Sequence, residues 1–206
     1  IHSNMIGNAT GGGIHEFVDS SSSGHTITLG GDAQHNTSQK KFGVSSICFD
    51  VDDYLEVDGS ITDFTFDADF TIELWLYRTA NTSGRHDNIM GRAGQGWRLL
   101  FNHINVHGLK LIFDAEYSQD MNTYDNGSLN TWHHYAFTRE SGTIRVFMDG
   151  VLKTTRTDRT ATFTPELINS KFRIGDDSST SYDGPKGYMD EIRISKGIAR
   201  WTSNFI

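Results

Sequence analysis

An all-β protein, built as a two-sheet antiparallel sandwich, is what this sequence predicts from three features. Apolar and polar residues alternate with period two again and again, three-and-four apolar spacing is almost absent, and short runs are separated by tight-turn signals rich in glycine. Side chains alternate between the faces of a strand, so a half-buried strand alternates in polarity. With 21 Gly and only 2 Pro in 206 residues, the punctuation is that of turns rather than of helices or disordered linkers. Hydrophobic residues make up only 36%, but 13 Phe, 7 Tyr and 4 Trp can each bury roughly 150–250 Å². One core can therefore be filled, and the chain reads as one domain, 1–206.

In chain order, residues 1–43 read as an irregular leading strand and loops packed on the sandwich, with Gly11-Gly12-Gly13 and the Ser20–Ser23 run as loop by composition. The alternating runs that follow predict strands at His25–Leu29, Ser45–Asp50, Tyr54–Val57, Phe70–Arg78, Asp87–Arg92, Trp97–Asn102, Leu109–Asp114, Trp132–Arg139, Thr143–Met148, Val151–Arg156, Lys171–Gly175 and Lys186–Ser195. Turns fall at Asp58-Gly59, Asn126-Gly127, Ser141-Gly142, Asp149-Gly150 and Asp183-Gly184. Ser141-Gly142 and Asp149-Gly150 join three strands into a meander whose second turn is of the Asp-Gly hairpin type.

Phe70–Arg78 carries large groups on both faces: Phe70, Ile72, Leu74 and Leu76 point one way, Thr71, Glu73, Trp75 and Tyr77 the other. If this strand and the meander share a sheet, Trp75 and Tyr77 lie with Trp132, His134, Arg145 and Phe147, opposite Val146 and Met148. Aromatic rings stack on sugar rings while Arg, His and Glu bond hydroxyls, so Glu73, Trp75, Tyr77, His134 and Arg145 are the expected ligand-binding residues. Trp75 and Trp132 covered by a loop or by the N-terminal segment is the competing expectation, with Trp132 then supporting the fold. A rim site on Tyr117, Tyr124 and Tyr182 in the polar loops Tyr117–Asn126 and Asp176–Pro185 is the other.

A formal charge of −8 with scattered Lys and Arg argues against a nucleic-acid partner. No apolar run approaches the roughly 20 residues of a membrane span, so no membrane insertion is expected. Cys48 is the only cysteine, so no intramolecular disulfide forms. The chain starts at Ile1 without a methionine, as a processed product or a segment of something longer would.

The runs Phe17-Val18-Asp19-Ser20-Ser21, Gly24-His25-Thr26-Ile27-Thr28, Lys41-Phe42-Gly43, Phe49-Asp50, Asp53-Tyr54-Leu55, Phe70-Thr71-Ile72-Glu73-Leu74-Trp75, Trp132-His133-His134, Met148-Asp149-Gly150 and Gly187-Tyr188-Met189-Asp190-Glu191-Ile192-Arg193-Ile194 resemble, in order, laminin-G-like members of the concanavalin A-like lectin and glucanase superfamily. The ending Lys196-Gly197-Ile198-Ala199-Arg200-Trp201-Thr202 resembles versions in marine bacteriophage structural proteins, tail fibres and bacterial surface proteins. The resemblance implies a two-sheet jelly roll, an extracellular or virion-surface setting, and recognition of surface glycan or docking to a partner protein chain, as a homo-oligomer or part of a larger assembly.

Laminarinase-type relatives place their acids as Glu-x-Asp-x-x-Glu, so that alternation aims them into one cleft. That motif is absent; Asp69 to Glu73, Asp114 to Glu116 and Asp190-Glu191 lack the third carboxylate or the spacing. No His-x-His, His-Glu-x-x-His or Gly-x-Ser-x-Gly pattern occurs, and the adjacent His133 and His134 face opposite sides of a strand. Relatives of this fold often hold a structural calcium ion, and Asp50 and Asp190 are the expected ligands of one such ion here. Equally open is that Asp190 accepts backbone N–H bonds at a β-bulge, which the uneven alternation of Met189, Ile192 and Ile194 suggests. The expectation is thus a non-catalytic binding module, with a purely structural tail-fibre or decoration subunit and a cryptic glycoside hydrolase as alternatives.

Overall fold

The computed structural model describes residues 17–82, 86–91, 96–102, 108–112, 121–157, 159–168, 171–176 and 183–206. Their strands are β1 (Ile27–Gly30), β2 (Gln34–Asn36), β3 (Ser46–Phe49), β4 (Tyr54–Asp58), β5 (Phe70–Arg78), β6 (His86–Met90), β7 (Arg98–Asn102), β8 (Gly108–Ile112), β9 (Met121–Asn122), β10 (Trp132–Glu140), β11 (Thr143–Met148), β12 (Val151–Arg156), β13 (Lys171–Gly175) and β14 (Gly187–Lys196), with one 3₁₀ turn at Ile61–Phe64. They form two 7-stranded sheets, ordered β1-β4-β13-β6-β7-β8-β9 and β12-β11-β10-β5-β14-β3-β2. The two-sheet sandwich expected from alternation, as the jelly roll that the resemblance implied, is the observed fold.

The meander forms as its turns dictate. Ser141 and Gly142 have φ of 47° and 78°, Asp149 and Gly150 of 50° and 76°, so both hairpins turn through paired left-handed residues whose twist matches the flanking strands. Gly150 is needed twice over, because a Cβ there would lie 2.0 Å from the Phe205 carbonyl oxygen. Register then sets the faces. Leu74 pairs with Tyr135 and Ile72 with Phe137 on β10, and Phe137 pairs with Val146 on β11.

These side chains meet Leu55 and Val57 of β4, Phe172 and Ile174 of β13, and Leu99, Phe101, Leu109 and Leu111 of β7 and β8 in one core cluster. Trp97 is the fully buried tryptophan, its Nε1 donating to the Phe64 carbonyl at 2.7 Å. Trp132, expected to support the fold beneath a loop or the N-terminal segment, is half-buried on the outer face, its Nε1 donating to Gln39 Oε1.

Two arginines plug the ends of the inner face. Arg78, 3% exposed, lies 3.7 Å over the Phe101 ring and donates to Asn81 Oδ1 and the Asn126 carbonyl at 2.8 and 2.7 Å. At the far end of β5, Arg139 stands opposite Phe70 and donates to the carbonyls of Ala68, Ala161, Phe66 and Arg159. Burial lowers the pKa of both guanidinium groups.

Several element bounds differ from expectation. β2 and β9, of 3 and 2 residues, were not anticipated, because runs so short carry no period. The strand expected at Asp87–Arg92 is His86–Met90, its pairing with β7 shifting register between Asn88 and Met90. Gly11-Gly12-Gly13 and the end of the run expected at Leu109–Asp114 lie outside the described residues. The Ser20–Ser23 run is a turn built on Asp19, whose carboxylate accepts from Ser21 N–H, Ser21 Oγ and His25 N–H at 3.0, 2.8 and 2.9 Å.

Candidate functional site

The outer face of the β10–β5–β14 sheet is assembled by register. Trp132 pairs with Tyr77, His134 with Trp75 and Ala136 with Glu73, while Arg145 and Phe147 of β11 pair with Thr138 and Ala136. All the expected side chains therefore share one face.

That face is covered from two directions. On one side the C-terminal residues 197–206 lie across it as a strap: Thr71 Oγ1 donates to the Ile198 carbonyl and Thr138 Oγ1 to the Trp201 carbonyl, each at 2.8 Å, and Phe205 N–H donates to the Gly150 carbonyl at 2.9 Å. Trp201 and Phe205 stack at 4.2 Å and present their edges to His134, and Phe205 also packs on Phe147. On the other side the loop after β2 leans over the tryptophans. Phe42 meets Trp75 edge-on at 5.6 Å, Lys41 Nζ sits 4.1 Å from the Trp75 ring centroid, and Trp132 Nε1 donates to Gln39 Oε1 at 3.3 Å.

Between strap and loop remains a recess of about 370 Å³ lined by Phe42, Glu73, Trp75, His134, Glu191 and Arg193. Its floor is the Glu73 carboxylate, 4% exposed, a position a lone charge could not hold cheaply. Oε2 lies 3.1 Å from His134 Nε2, and Oε1 accepts from the Arg193 guanidinium, with Arg200 Nε at 3.8 Å. The Arg193 side chain is 51% exposed, so one edge binds Glu73 while the rest faces solvent.

Arg193 and Glu191 reach the recess because β14 bulges: its pairing with β5 shifts between Asp190 and Arg193, and Glu191 takes φ 50°. Asp190 Oδ2 accepts from Lys41 and Phe42 N–H, each at 3.0 Å, and Oδ1 from Glu191 N–H at 2.9 Å. Burial pushes the Asp190 carboxyl above its ordinary range, against the pull of those bonds.

Of the expected site residues, Glu73, Trp75 and His134 line the recess. Tyr77 stands beside it, packed on Trp132 and Tyr188. Arg145 shares the face but not the recess, its Nη1 lying 3.2 Å from Glu140 Oε2. Phe42, Glu191 and Arg193 were not anticipated. Counting parity through the suspected bulge would have found Arg193; nothing local in the sequence points to Phe42. Tyr124 is 58% exposed on its loop, and Tyr117 and Tyr182 lie outside the described residues.

Asp50 and Asp190, the expected calcium ligands, have separate partners: Asp50 Oδ1 faces Lys186 Nζ at 3.3 Å, while Asp190 accepts from the backbone N–H groups of Lys41, Phe42 and Glu191. Among the described residues no cluster of three or more His, Cys, Asp or Glu is placed to hold a metal ion.

Fold and recess together define a two-sheet β-sandwich with a ligand-sized hollow on one sheet. Residues 49–200 match a laminin-G family model of the concanavalin A-like lectin/glucanases superfamily, and the chain belongs to that superfamily. No curated protein sequence matches it. Among solved structures it is similar to domain 4 of AbnA, an extracellular arabinanase from Geobacillus stearothermophilus, in complex with arabinotriose, with a TM-score of 0.60, 19% identity and coverage of 85% of this chain and 84% of that one. The binding domain of Paraclostridial Mosquitocidal Protein 1 gives 0.64 and 14%, covering 89% and 47%. The binding domain of Botulinum Neurotoxin DC in complex with SialylT gives 0.55 and 15%, covering 86% and 44%. The chain thus spans under half the length of either toxin binding domain, and the likeness is one of fold.

Proposed function

We propose that this chain is a non-catalytic carbohydrate-binding module, working in an extracellular or virion-surface setting, with the recess between strap and loop as its sugar site. The observation that carries the reading is the pairing, in about 370 Å³, of two aromatic rings with a buried carboxylate and a half-exposed guanidinium. Pockets of roughly 300–1,000 Å³ suit small ligands, and a sugar ring needs an apolar wall together with a few directed polar groups. Phe42 and Trp75 supply the wall; Arg193, His134 and Glu191 supply bonds to hydroxyls. The arabinanase domain with its arabinotriose and the toxin domain with its SialylT support the reading.

Glu73 and Glu191 share the recess, which favours hydrolysis as a second reading. Glycoside hydrolysis needs two carboxyl groups free to face the scissile bond. Both Glu73 oxygens are engaged, one by His134 and one by Arg193, which suits a fixed hydrogen-bonding floor rather than a proton donor. The test is a glycan array on the whole chain, followed by titration of the best-bound glycan. Binding that disappears in Trp75→Ala and Arg193→Ala while both variants stay folded supports the module. Release of reducing ends supports the hydrolase, and no binding to any glycan returns the structural-subunit reading.

A further inference from the structure

We infer that Asp190 is the positioning residue of the recess, one buried carboxylate that fixes both of its side walls, an inference that rests on the recess being the ligand site. Asp190 is 2% exposed and pairs across β14 and β5 with Trp75, so it lies at the base of the recess wall. Its two oxygens hold two different segments. Oδ2 reaches 149 and 148 residues back in sequence to hold the backbone of Lys41 and Phe42, and Oδ1 holds the Glu191 N–H of its own bulge.

Gln39 anchors the start of the loop, accepting from Trp132 Nε1 and Ser46 Oγ, but from Lys40 to Val44 the hydrogen bonds to the sheet, among the described residues, are the two that Asp190 accepts. Phe42 itself is 47% exposed, so burial does little to hold its ring against Trp75. The second wall has the same dependence. Glu191 adopts the left-handed backbone that non-glycine residues avoid, and the neighbouring carboxylate bonds the N–H displaced by that turn. Arg193 reaches Glu73 only because the bulge has moved it back onto the outer face.

Asp53 provides an internal control. It is also buried, at 6%, and its oxygens accept from Asp32 N–H and Asp50 N–H at 2.6 and 2.7 Å. It clamps a turn just as Asp190 clamps the loop, yet no residue it holds lines the recess. A purely structural role would make the two carboxylates equivalent in every measurement.

The experiment compares Asp190→Asn, Asp53→Asn and Phe42→Ala in the full chain by amide hydrogen exchange and by titration with arabinotriose and sialyllactose. An amide side chain keeps one acceptor and turns a donor toward backbone N–H groups, so it cannot hold both walls. In Asp190→Asn the Lys41 and Phe42 amides should exchange fast while β5 amides stay protected. Affinity for whichever sugar binds should fall about tenfold, the equivalent of one hydrogen bond. Phe42→Ala should reproduce the affinity loss while β5 amides stay protected, and Asp53→Asn should speed exchange of the Asp32 and Asp50 amides without affecting affinity. Protected Lys41 and Phe42 amides in Asp190→Asn, or equal affinity losses in Asp190→Asn and Asp53→Asn, would overturn the inference. If the wild type binds neither sugar, the sugar-site reading fails for those ligands, while the exchange measurement still decides whether Asp190 holds the loop.

Discussion

Along β5 the inner face carries Phe70, Ile72, Leu74 and Leu76, none more than 1% exposed, and the outer face carries Thr71, Glu73, Trp75 and Tyr77. The inner residues are held by packing, which is undirected and satisfied by any neighbours of the right volume. On the outer face Thr71 and Glu73 are held by addressed bonds, Thr71 to Ile198 and Arg200, Glu73 to His134 and Arg193, while Trp75 and Tyr77 rest against the rings of Phe42, Trp132 and Tyr188. One backbone thus carries two kinds of order. The inner face sets how stable the sandwich is, and the outer face sets where the strap and the loop lie.

Measurements can separate the two. The largest effect belongs to the inner face: Leu74→Ala should cost about 2–5 kcal/mol in denaturant unfolding. Lys41 and Phe42 exchange in the native state should be unaltered, and a change there would mean the faces are coupled through the sheet. Thr138→Val should cost about 1 kcal/mol, the worth of a hydrogen bond, and should expose residues 197–206 to proteolysis before the sandwich melts.

Next comes a slope rather than a drop. Burial raises the Asp190 carboxyl in the folded state, so the native form holds its proton more tightly than the unfolded chain does. Its stabilising contribution is complete below its ordinary pKa and is lost as pH rises through the raised value. Melting from pH 3 upward should show wild type losing ground to Asp190→Asn across that window; a parallel pair of curves would place the charge elsewhere. Smallest of all, Arg145→Ala should change stability by less than about 1 kcal/mol, as expected for a surface pair with Glu140, and should leave sugar affinity unaltered. A loss of affinity would extend the site beneath the strap.

What could be read from the sequence was local. The β5 alternation and the sharing of one face by Glu73, Trp75, His134 and Arg145 follow from period and parity, and the two turns of the meander from their Ser-Gly and Asp-Gly pairs. Parity says which face a side chain takes but not how far along the sheet it stands. Arg145 was therefore expected in the ligand site and stands on the correct face but outside the recess. The bulge at Asp190 shows in the uneven alternation of β14, yet its effect on Arg193 requires counting through a break in the period. That a loop or the N-terminal segment covers Trp75 and Trp132 was expected; that Phe42 does so, and that the strap lies beside it, was beyond reach, because these positions depend on bonds between residues far apart in sequence, Phe42 to Asp190 and Trp201 to Thr138. The two expectations for Asp190, a calcium ligand or an acceptor of backbone N–H bonds at a bulge, could not be separated by the sequence, and in the structure it accepts three backbone N–H bonds beside the bulge.

The two arginine plugs bear on the order of assembly. Arg139 finds its carbonyl partners only when the segments around Ala68 and Ala161 have both closed on the end of the sandwich, and until then its guanidinium stays hydrated. Arg78 likewise waits for Asn126. Water should therefore leave the middle of the core first and its ends last, with the plugs forming after the rate-limiting step. Interactions absent from the transition state act on the unfolding rate rather than the folding rate. The expected outcome is that Arg139→Met and Arg78→Met speed unfolding and leave the folding rate nearly unchanged, which stopped-flow kinetics would check.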